Sequence, residues 1–267
     1  MTKPSAGEAI TFPAGDYVAP GFSCIRPDAY FPFMAIGDRS ACRWPHLRRD
    51  VPHNWYVDRR IPDVGFVNRD EAHILYNTAL RFRDRLGLEI GCWFGWSACH
   101  LALGGLRLDV IDPELANPDI FGSVIGSLTA AGVDGRVTLI PGISPRKVIE
   151  IASLLRRRWS FIFIDGAHDA PGPQNDAKAA HLLASDDALV LFHDLASPDV
   201  TEGLAYLRER GWRTLIYQTM QIMGVAWRGA VEPVVHIPDP AVKWVLPPHL
   251  ASFEVSGSDA RSSPPYR

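Results

Sequence analysis

The sequence lacks the long apolar runs and the charge excess that mark several large classes of protein. No window holds the roughly 18 consecutive apolar residues that a membrane-spanning helix needs, and residues 1–17 contain no continuous apolar stretch typical of a signal peptide. The net formal charge is only −3, so no strong field attracts nucleic acid or an anionic membrane. We therefore expect a cytoplasmic protein without nucleic-acid or membrane partners.

Cysteines are also scarce. Cys24, Cys42, Cys92 and Cys99 are the four present, and no two of them form a C-x-x-C pair. This spacing excludes a dense disulfide framework and gives poor support to zinc binding, so we expect reduced thiols. The 267 residues, of which 47% are hydrophobic, suffice for one large core.

Short apolar runs alternate with helical patterns from about residue 70 to residue 229. The predicted strands are residues 86–91, 106–112, 136–140, 159–165, 187–194, 212–219 and 221–229. The predicted helices are residues 69–83, a segment from about 96, 118–131, 145–157, 173–184 and 199–210. The last two strands are too close together for a helical crossover, so they should form an antiparallel hairpin. The order predicts an α/β fold with a doubly wound, mostly parallel, Rossmann-like seven-stranded sheet that ends in this hairpin.

The chain divides into three parts on this basis. Residues 1–68 are rich in proline and aromatic side chains without a clear period, and we expect an irregular lid over a substrate pocket or a subunit interface in a homo-oligomer. Residues 69–230 form the predicted ligand-binding domain. Residues 231–267 are a C-terminal extension whose end, after Pro247, has the composition of a disordered tail.

The turn after the first strand of this domain has an unusual composition. It reads Glu89-x-Gly91-x-x-x-Gly95 and is followed by Ser97 at a helix start. Glycines let the backbone approach a ligand, and the helix N-terminus offers unpaired N–H groups to a carboxylate or phosphate. The spacing is not G-x-G-x-x-G, so the usual dinucleotide fingerprint is missing. Asp112 ends the next strand, where a carboxylate can accept hydrogen bonds from both ribose hydroxyls.

These motifs resemble the S-adenosylmethionine-binding core of class I methyltransferases. The finer similarity is to the catechol O-methyltransferase-like branch, whose L-E-x-G-x-x-x-G-x-S-A turn matches residues 88–98 and whose Gly-x-Ser segment matches residues 142–144. "FIDGAHD" at 163–169 and "LFHD" at 191–194 are similar to the macrocin and cephalosporin-type group of small-molecule methyltransferases. The resemblance covers roughly residues 69–229.

The resemblance implies S-adenosyl-L-methionine as cofactor and assigns residues to its parts. Glu89 and the 91–97 turn would hold the methionyl end, Asp112 the ribose, and residues 142–144 the adenine. The implied cofactor-binding residues are Glu89, Gly91, Trp93, Gly95, Ser97, Asp112, Gly142, Ser144 and Asp165. The alternative for the glycines is a plain strand-to-helix turn, and for Ser97 and Ser144 a helix cap, with Pro145 opening the helix after Ser144.

A second group lies at the ends of the fourth and fifth strands. The resemblance implies a divalent metal ion, Mg²⁺ or Mn²⁺, held by Asp165, His193 and Asp194. His193 departs from the oxygen ligands that Mg²⁺ prefers, and imidazole tolerates Mn²⁺ more readily. The alternative is that His193 and Asp194 cap the sheet or form a hydrogen bond with each other. His168 aligns with the lysine base of the catechol-type enzymes. A histidine suits that task because its reference pKa, about 6.5, lies near the working pH. The alternative is a surface loop histidine. We expect Asp176 to act as a favourable charge at a helix N-terminus.

The resulting hypothesis is an S-adenosylmethionine-dependent O-methyltransferase that acts on a hydroxyl of a small molecule, such as a sugar, a phenol or another natural product, with or without a metal ion. Two alternatives remain open. One is a nucleotide-dependent oxidoreductase, which the missing G-x-G-x-x-G disfavours. The other is a catalytically inactive binder that kept the fold.

Overall fold

The structure, a computed structural model, describes residues 10–257. Its strands are β1 (Met34–Ile36), β2 (Tyr56–Asp58), β3 (Ile61–Phe66), β4 (Leu86–Ile90), β5 (Arg107–Asp112), β6 (Val137–Pro141), β7 (Trp159–Ile164), β8 (Ala184–Phe192), β9 (Arg213–Tyr217) and β10 (Met223–Arg228). Its α-helices are α1 (Arg69–Arg81), α2 (Trp96–Leu103), α3 (Pro118–Ala130), α4 (Arg146–Leu155), α5 (Gly172–Leu183) and α6 (Pro198–Glu209).

Seven strands form one sheet in the order β6-β5-β4-β7-β8-β10-β9. The first five are parallel, and β10 runs antiparallel to both β8 and β9. The predicted fold class and its closing hairpin are therefore confirmed. The strand order reverses between β4 and β7, and a crevice at the carboxyl ends of such a pair is where doubly wound folds bind ligands.

The central strands are largely apolar because both faces of the sheet are covered. All six residues of β7 are buried. Phe161 and Phe163 pack into one hydrophobic core, whereas Ile162 and Ile164 pack into the other. Successive side chains of a strand point to opposite faces, so a strand buried on both sides reads as a continuous apolar run.

One helix start differs from the sequence prediction. Helix α4 begins at Arg146, and the Ser144 hydroxyl donates to Oδ2 of Asp176 (3.1 Å) instead of capping the helix. Asp176 is also not the exposed first-turn charge that we expected. It lies in the second turn of α5 and is only 1% exposed. Both corrections have one cause, which is that α4 and α5 pack together and bring these side chains into contact.

The N-terminal part is more ordered than its composition indicated. Strands β1, β2 and β3 form a separate antiparallel sheet. The side chains of Phe31, Tyr56 and Phe66 pack into the core beside the first two helices. Buried Arg69 of α1 lies 3.2 Å from Asp16 and 2.6 Å from Asp28, which ties this segment to the large domain. Strands of three residues give no readable period, so the sequence prediction of irregular structure was wrong for this sheet.

The C-terminal extension is ordered up to residue 257, which also differs from the expected tail. Leu250 and Phe253 are buried, and Val255 pairs with Ile216 of the edge strand β9. The rest of the predicted disordered tail, 258–267, lies outside the described residues. All four cysteines are free. Within residues 10–257 no helix combines the length and the apolar content that crossing a bilayer requires.

Candidate active site

A cavity of about 400 Å³ lies at the carboxyl ends of β4, β5, β6 and β7, where the strand order reverses. All but two of the residues predicted for the site line it. The lining residues among them are Gly91, Trp93, Ser97, Asp112, Gly142, Ser144, Asp165, His168, His193 and Asp194. Residues 64–67, at the end of β3, close the cavity from the N-terminal side.

The two predicted residues that do not line this cavity are Glu89 and Gly95. Glu89 is fully buried beneath the turn, and neither of its carboxylate oxygens has a hydrogen-bond partner within residues 10–257. Burial raises the pKa of this carboxyl well above its usual range, and the charges of Asp165 and Asp112 add to the shift, whereas the Ser97 hydroxyl opposes it. Gly95 has a φ of 85°, and a Cβ there would lie 2.8 Å from Val124, so backbone conformation and packing require this glycine.

The glycine turn is held in place by backbone and carboxylate contacts. Gly91 has a φ of 84°, and a Cβ at this position would lie 2.1 Å from the backbone oxygen of Asp165, so only glycine lets the ends of β4 and β7 approach this closely. Oδ2 of Asp112 accepts from the N–H groups of Cys92 (2.7 Å) and Trp93 (3.0 Å). Asp112 therefore shapes the turn as well as facing the cavity.

Asp165, His168 and Asp194 form a compact group at the other side of the cavity. Nε2 of His168 lies 3.1 Å from Oδ2 of Asp194 and 3.4 Å from Oδ1 of Asp165. One ligand atom from each of the three residues lies within 4.8 Å of the others. Burial lowers the pKa of His168, but the carboxylates of Asp194 and Asp165 outweigh it, so the pKa is raised.

His193 lies at the end of β8 beside three carboxylates. Its Nδ1 lies 3.2 Å from Asp194 and 3.3 Å from Asp165, and its Nε2 lies 3.1 Å from Oε2 of Glu71. Burial lowers the pKa of His193, yet these carboxylates raise it well above its usual range. The contact of Nδ1 with Oδ2 of Asp194 corresponds to the alternative stated from the sequence, a hydrogen bond between these two residues. The group that could hold a metal contains His168 where the sequence analysis placed His193.

Sequence reasoning missed Glu71 and Gln221. Glu71 is fully buried and accepts hydrogen bonds from the backbone N–H groups of Asn68 (2.9 Å) and Gln221 (2.8 Å) in addition to its contact with His193. The side chain of Gln221 donates to Oδ1 of Asp194 (2.6 Å). The Asn68-x-x-Glu71 spacing is readable as a capping box before an apolar helix, but no local pattern links it to a histidine so distant in sequence.

A second cavity, of about 440 Å³, adjoins the first and shares His168, His193, Asp194 and residues 64–66 with it. Its remaining walls come largely from the N-terminal part. They include Cys42, Trp44, Leu47, Trp55, Asp63 and Gln221. The Trp44 ring lies 5.1 Å from the His168 ring, centroid to centroid. The two cavities therefore meet at His168, His193 and Asp194.

Comparison with known proteins agrees with this geometry. Residues 88–195 match a family model described as a methyltransferase domain. An O-methyltransferase from Bacillus cereus in complex with SAH is 15% identical, covers 59% of this chain and 80% of its own, and has a TM-score of 0.50. The O-methyltransferase TomG from Streptomyces achromogenes, involved in tomaymycin synthesis and in complex with SAM, is 20% identical, covers 63% and 83%, and has a TM-score of 0.50. No curated protein matches the sequence.

The matched segment contains the glycine turn and the strand-end residues Asp112, Asp165 and Asp194. Residues 88–195 thus match a methyltransferase domain, which confirms the resemblance predicted from the sequence. The solved structures share its fold at low sequence identity.

Proposed function

We propose that this protein transfers the methyl group of S-adenosyl-L-methionine to a hydroxyl of a small molecule, with His168 as general base. The observation that carries the proposal is the junction of two cavities at His168. One cavity contains the glycine turn and Asp112, and the other has aromatic walls. A base at such a junction can contact an acceptor hydroxyl that faces the donor methyl group.

The first cavity fits the cofactor. The N-terminal turn of α2, with Trp96 and Ser97 on the cavity wall, presents unpaired N–H groups to a carboxylate. Oδ2 of Asp112 accepts from two backbone N–H groups of the turn and Oδ1 accepts from that of Glu114 (2.7 Å), so Oδ1 retains one lone pair for a ribose hydroxyl. When bound, S-adenosyl-L-methionine supplies an electrophilic methyl group on its sulfonium. Residues 142–144, on the opposite wall, lie where the adenine would bind.

His168 is suited to remove the proton of the acceptor hydroxyl. Its Nε2 faces Asp165 and Asp194, whose charges stabilise the imidazolium that forms when the proton arrives. His193 and Gln221 hold Asp194 from its other sides, so the carboxylate keeps its orientation. Asp194 and His193 are buried and His168 and Asp165 are half-buried, which strengthens the electrostatic contacts between them.

A screen with methyl-labelled S-adenosylmethionine tests the proposal. We expect label transfer to at least one member of a panel of phenols and sugar hydroxyls. Amines and thiols built on the same ring systems, with the hydroxyl replaced, should accept little label. Transfer to the amines or thiols with none to the hydroxyls would contradict O-methylation.

Replacing Trp44 by alanine should raise the KM for that acceptor about tenfold, because an aromatic wall of the second cavity is lost. The affinity for S-adenosylhomocysteine should stay at the wild-type value. Steady-state kinetics and calorimetry measure the two quantities. Phe33→Ala is a suitable control, since Phe33 is 43% exposed and lines neither cavity. An unchanged KM would remove Trp44 from the acceptor site.

Metal-assisted transfer is a second candidate, favoured by the grouping of Asp165, His168 and Asp194 ligand atoms within 4.8 Å. Two carboxylates and one imidazole suit Mn²⁺ better than Mg²⁺. These three residues would hold the ion, which would acidify the hydroxyl when bound. In this version His168 is a ligand and cannot also be the base.

Metal binding distinguishes transfer with His168 as base from metal-assisted transfer. If the metal version holds, Mn²⁺ binds the protein by calorimetry, and Asp165→Asn weakens that binding about tenfold or more because it removes a charged ligand. Asp186→Asn, which changes an exposed carboxylate, should leave Mn²⁺ binding unaltered. A protein that binds no Mn²⁺ and keeps full turnover in EDTA would contradict the metal version and leave His168 as the base.

A further inference from the structure

Asp176 is a buried carboxyl that has no part in the proposed chemistry. It is 1% exposed, and burial raises its pKa to about 6, although the hydrogen bond from Ser144 opposes the shift. Its Oδ2 accepts from the Ser144 hydroxyl (3.1 Å), and its Oδ1 has no partner within residues 10–257. Ser144 is thus the one side chain in this part of the chain that satisfies the carboxylate.

The carboxylate lies directly behind the wall of the first cavity. Ser144 and Gly166 both line that cavity, and a Cβ at Gly166 would lie 3.6 Å from Oδ2 of Asp176. Asp176 does not line the cavity itself. Any effect that it has on a bound molecule must therefore pass through Ser144.

The contact determines what Ser144 can offer to a ligand. A serine hydroxyl has one proton and two acceptor lone pairs, whereas an ionised carboxylate can only accept. The proton of Ser144 is therefore committed to Asp176, and the hydroxyl presents only lone pairs to the cavity. Turning the proton towards the cavity would leave a buried charge without its hydrogen bond, which is costly.

We propose that Asp176 is a positioning residue that makes Ser144 an obligate hydrogen-bond acceptor, so that the site selects a cofactor base carrying an amino group over one carrying a carbonyl at the same position. This rests on the proposed function, in which residues 142–144 line the adenine. A 6-amino group donates to the Ser144 oxygen. A 6-oxo group places a second acceptor against it, and neither atom can supply the proton.

Calorimetry with S-adenosylhomocysteine and S-inosylhomocysteine, its 6-oxo analogue, tests the proposal. The measurement is made at about pH 8, where a carboxyl with this raised pKa is ionised. We expect the wild-type protein to bind the 6-amino compound at least about tenfold more tightly than the 6-oxo compound. The difference arises because one hydrogen bond is replaced by a contact between two acceptors. Asp176→Ala frees the hydroxyl to donate, and Ser144→Ala removes it, so both should bring the ratio close to one. Asp186→Ala should keep the wild-type ratio.

The outcomes distinguish a failure of the role of Asp176 from a failure of the proposed function. A wild-type ratio near one, or an Asp176→Ala protein with the wild-type ratio, would overturn the role of Asp176 while leaving the proposed function intact. If the wild-type protein binds neither compound, the proposed function is overturned, and this inference with it. If Asp176→Ala does not fold, Asp176→Asn replaces it. Its amide can either accept from or donate to Ser144, so the ratio should again fall.

Discussion

Replacing His168 by alanine is expected to lower kcat by about 10²- to 10⁴-fold, the range over which a positioned general base contributes. The affinity for S-adenosylhomocysteine should change little, because the carboxylate and glycine contacts of the first cavity remain. The reason lies in the contacts of the ring, whose Nε2 lies 3.1 Å from Asp194 and 3.4 Å from Asp165 at the junction of the two cavities. Single-turnover kinetics with labelled S-adenosylmethionine separate the chemical step from product release.

His181→Ala is the matched control for this prediction. His181 lies on α5, where its ring accepts a hydrogen bond from the Trp212 indole N–H (3.1 Å) and lines neither cavity. Its removal should leave the single-turnover rate at the wild-type value. An equal rate for His168→Ala and His181→Ala would exclude His168 as the base.

Asp112→Ala should weaken S-adenosylhomocysteine binding by about 1–3 kcal/mol, because two kinds of contact are lost together. The carboxylate accepts from the backbone of Cys92 and Trp93 and so shapes the glycine turn, and it also lines the cavity, where one lone pair of Oδ1 remains beside the bond from Glu114. Asp112→Asn keeps one acceptor oxygen, so its loss of affinity should be smaller.

Calorimetry measures both variants, with Asp134→Ala, an exposed carboxylate before β6, as the control. A circular dichroism spectrum like that of the wild type would show that the turn, and not the whole domain, has changed. If Asp112→Ala binds S-adenosylhomocysteine with the wild-type affinity, the ribose binds elsewhere.

The sheet and the strand-end residues were predictable because they depend on local patterns. A strand covered on both faces is largely apolar, as β7 is apart from Ser160, and a tight strand-to-helix turn beside a neighbouring strand needs glycine, as at Gly91. Parallel strands present their carboxyl ends at one edge of the sheet. Asp112, Asp165 and Asp194 could therefore be placed around one cavity from their positions in the sequence alone.

The partners of His193 and the walls of the second cavity were not predictable in this way. His193 contacts Glu71 because α1 packs beneath the sheet edge, and that contact joins residues 122 positions apart. Trp44 reaches His168 because a small sheet anchors the N-terminal part, and its strands are too short to show a period. Such contacts arise from tertiary packing, for which the sequence carries no local signal.

Titration of the wild-type protein with S-adenosylhomocysteine and with NADH tests the central claim most directly. The account predicts saturable binding of S-adenosylhomocysteine, with NADH bound weakly or not at all, because Glu89 and Asp112 lie on the strands beside the turn and the turn lacks the G-x-G-x-x-G spacing for a pyrophosphate. Saturable binding of NADH without binding of S-adenosylhomocysteine would contradict it.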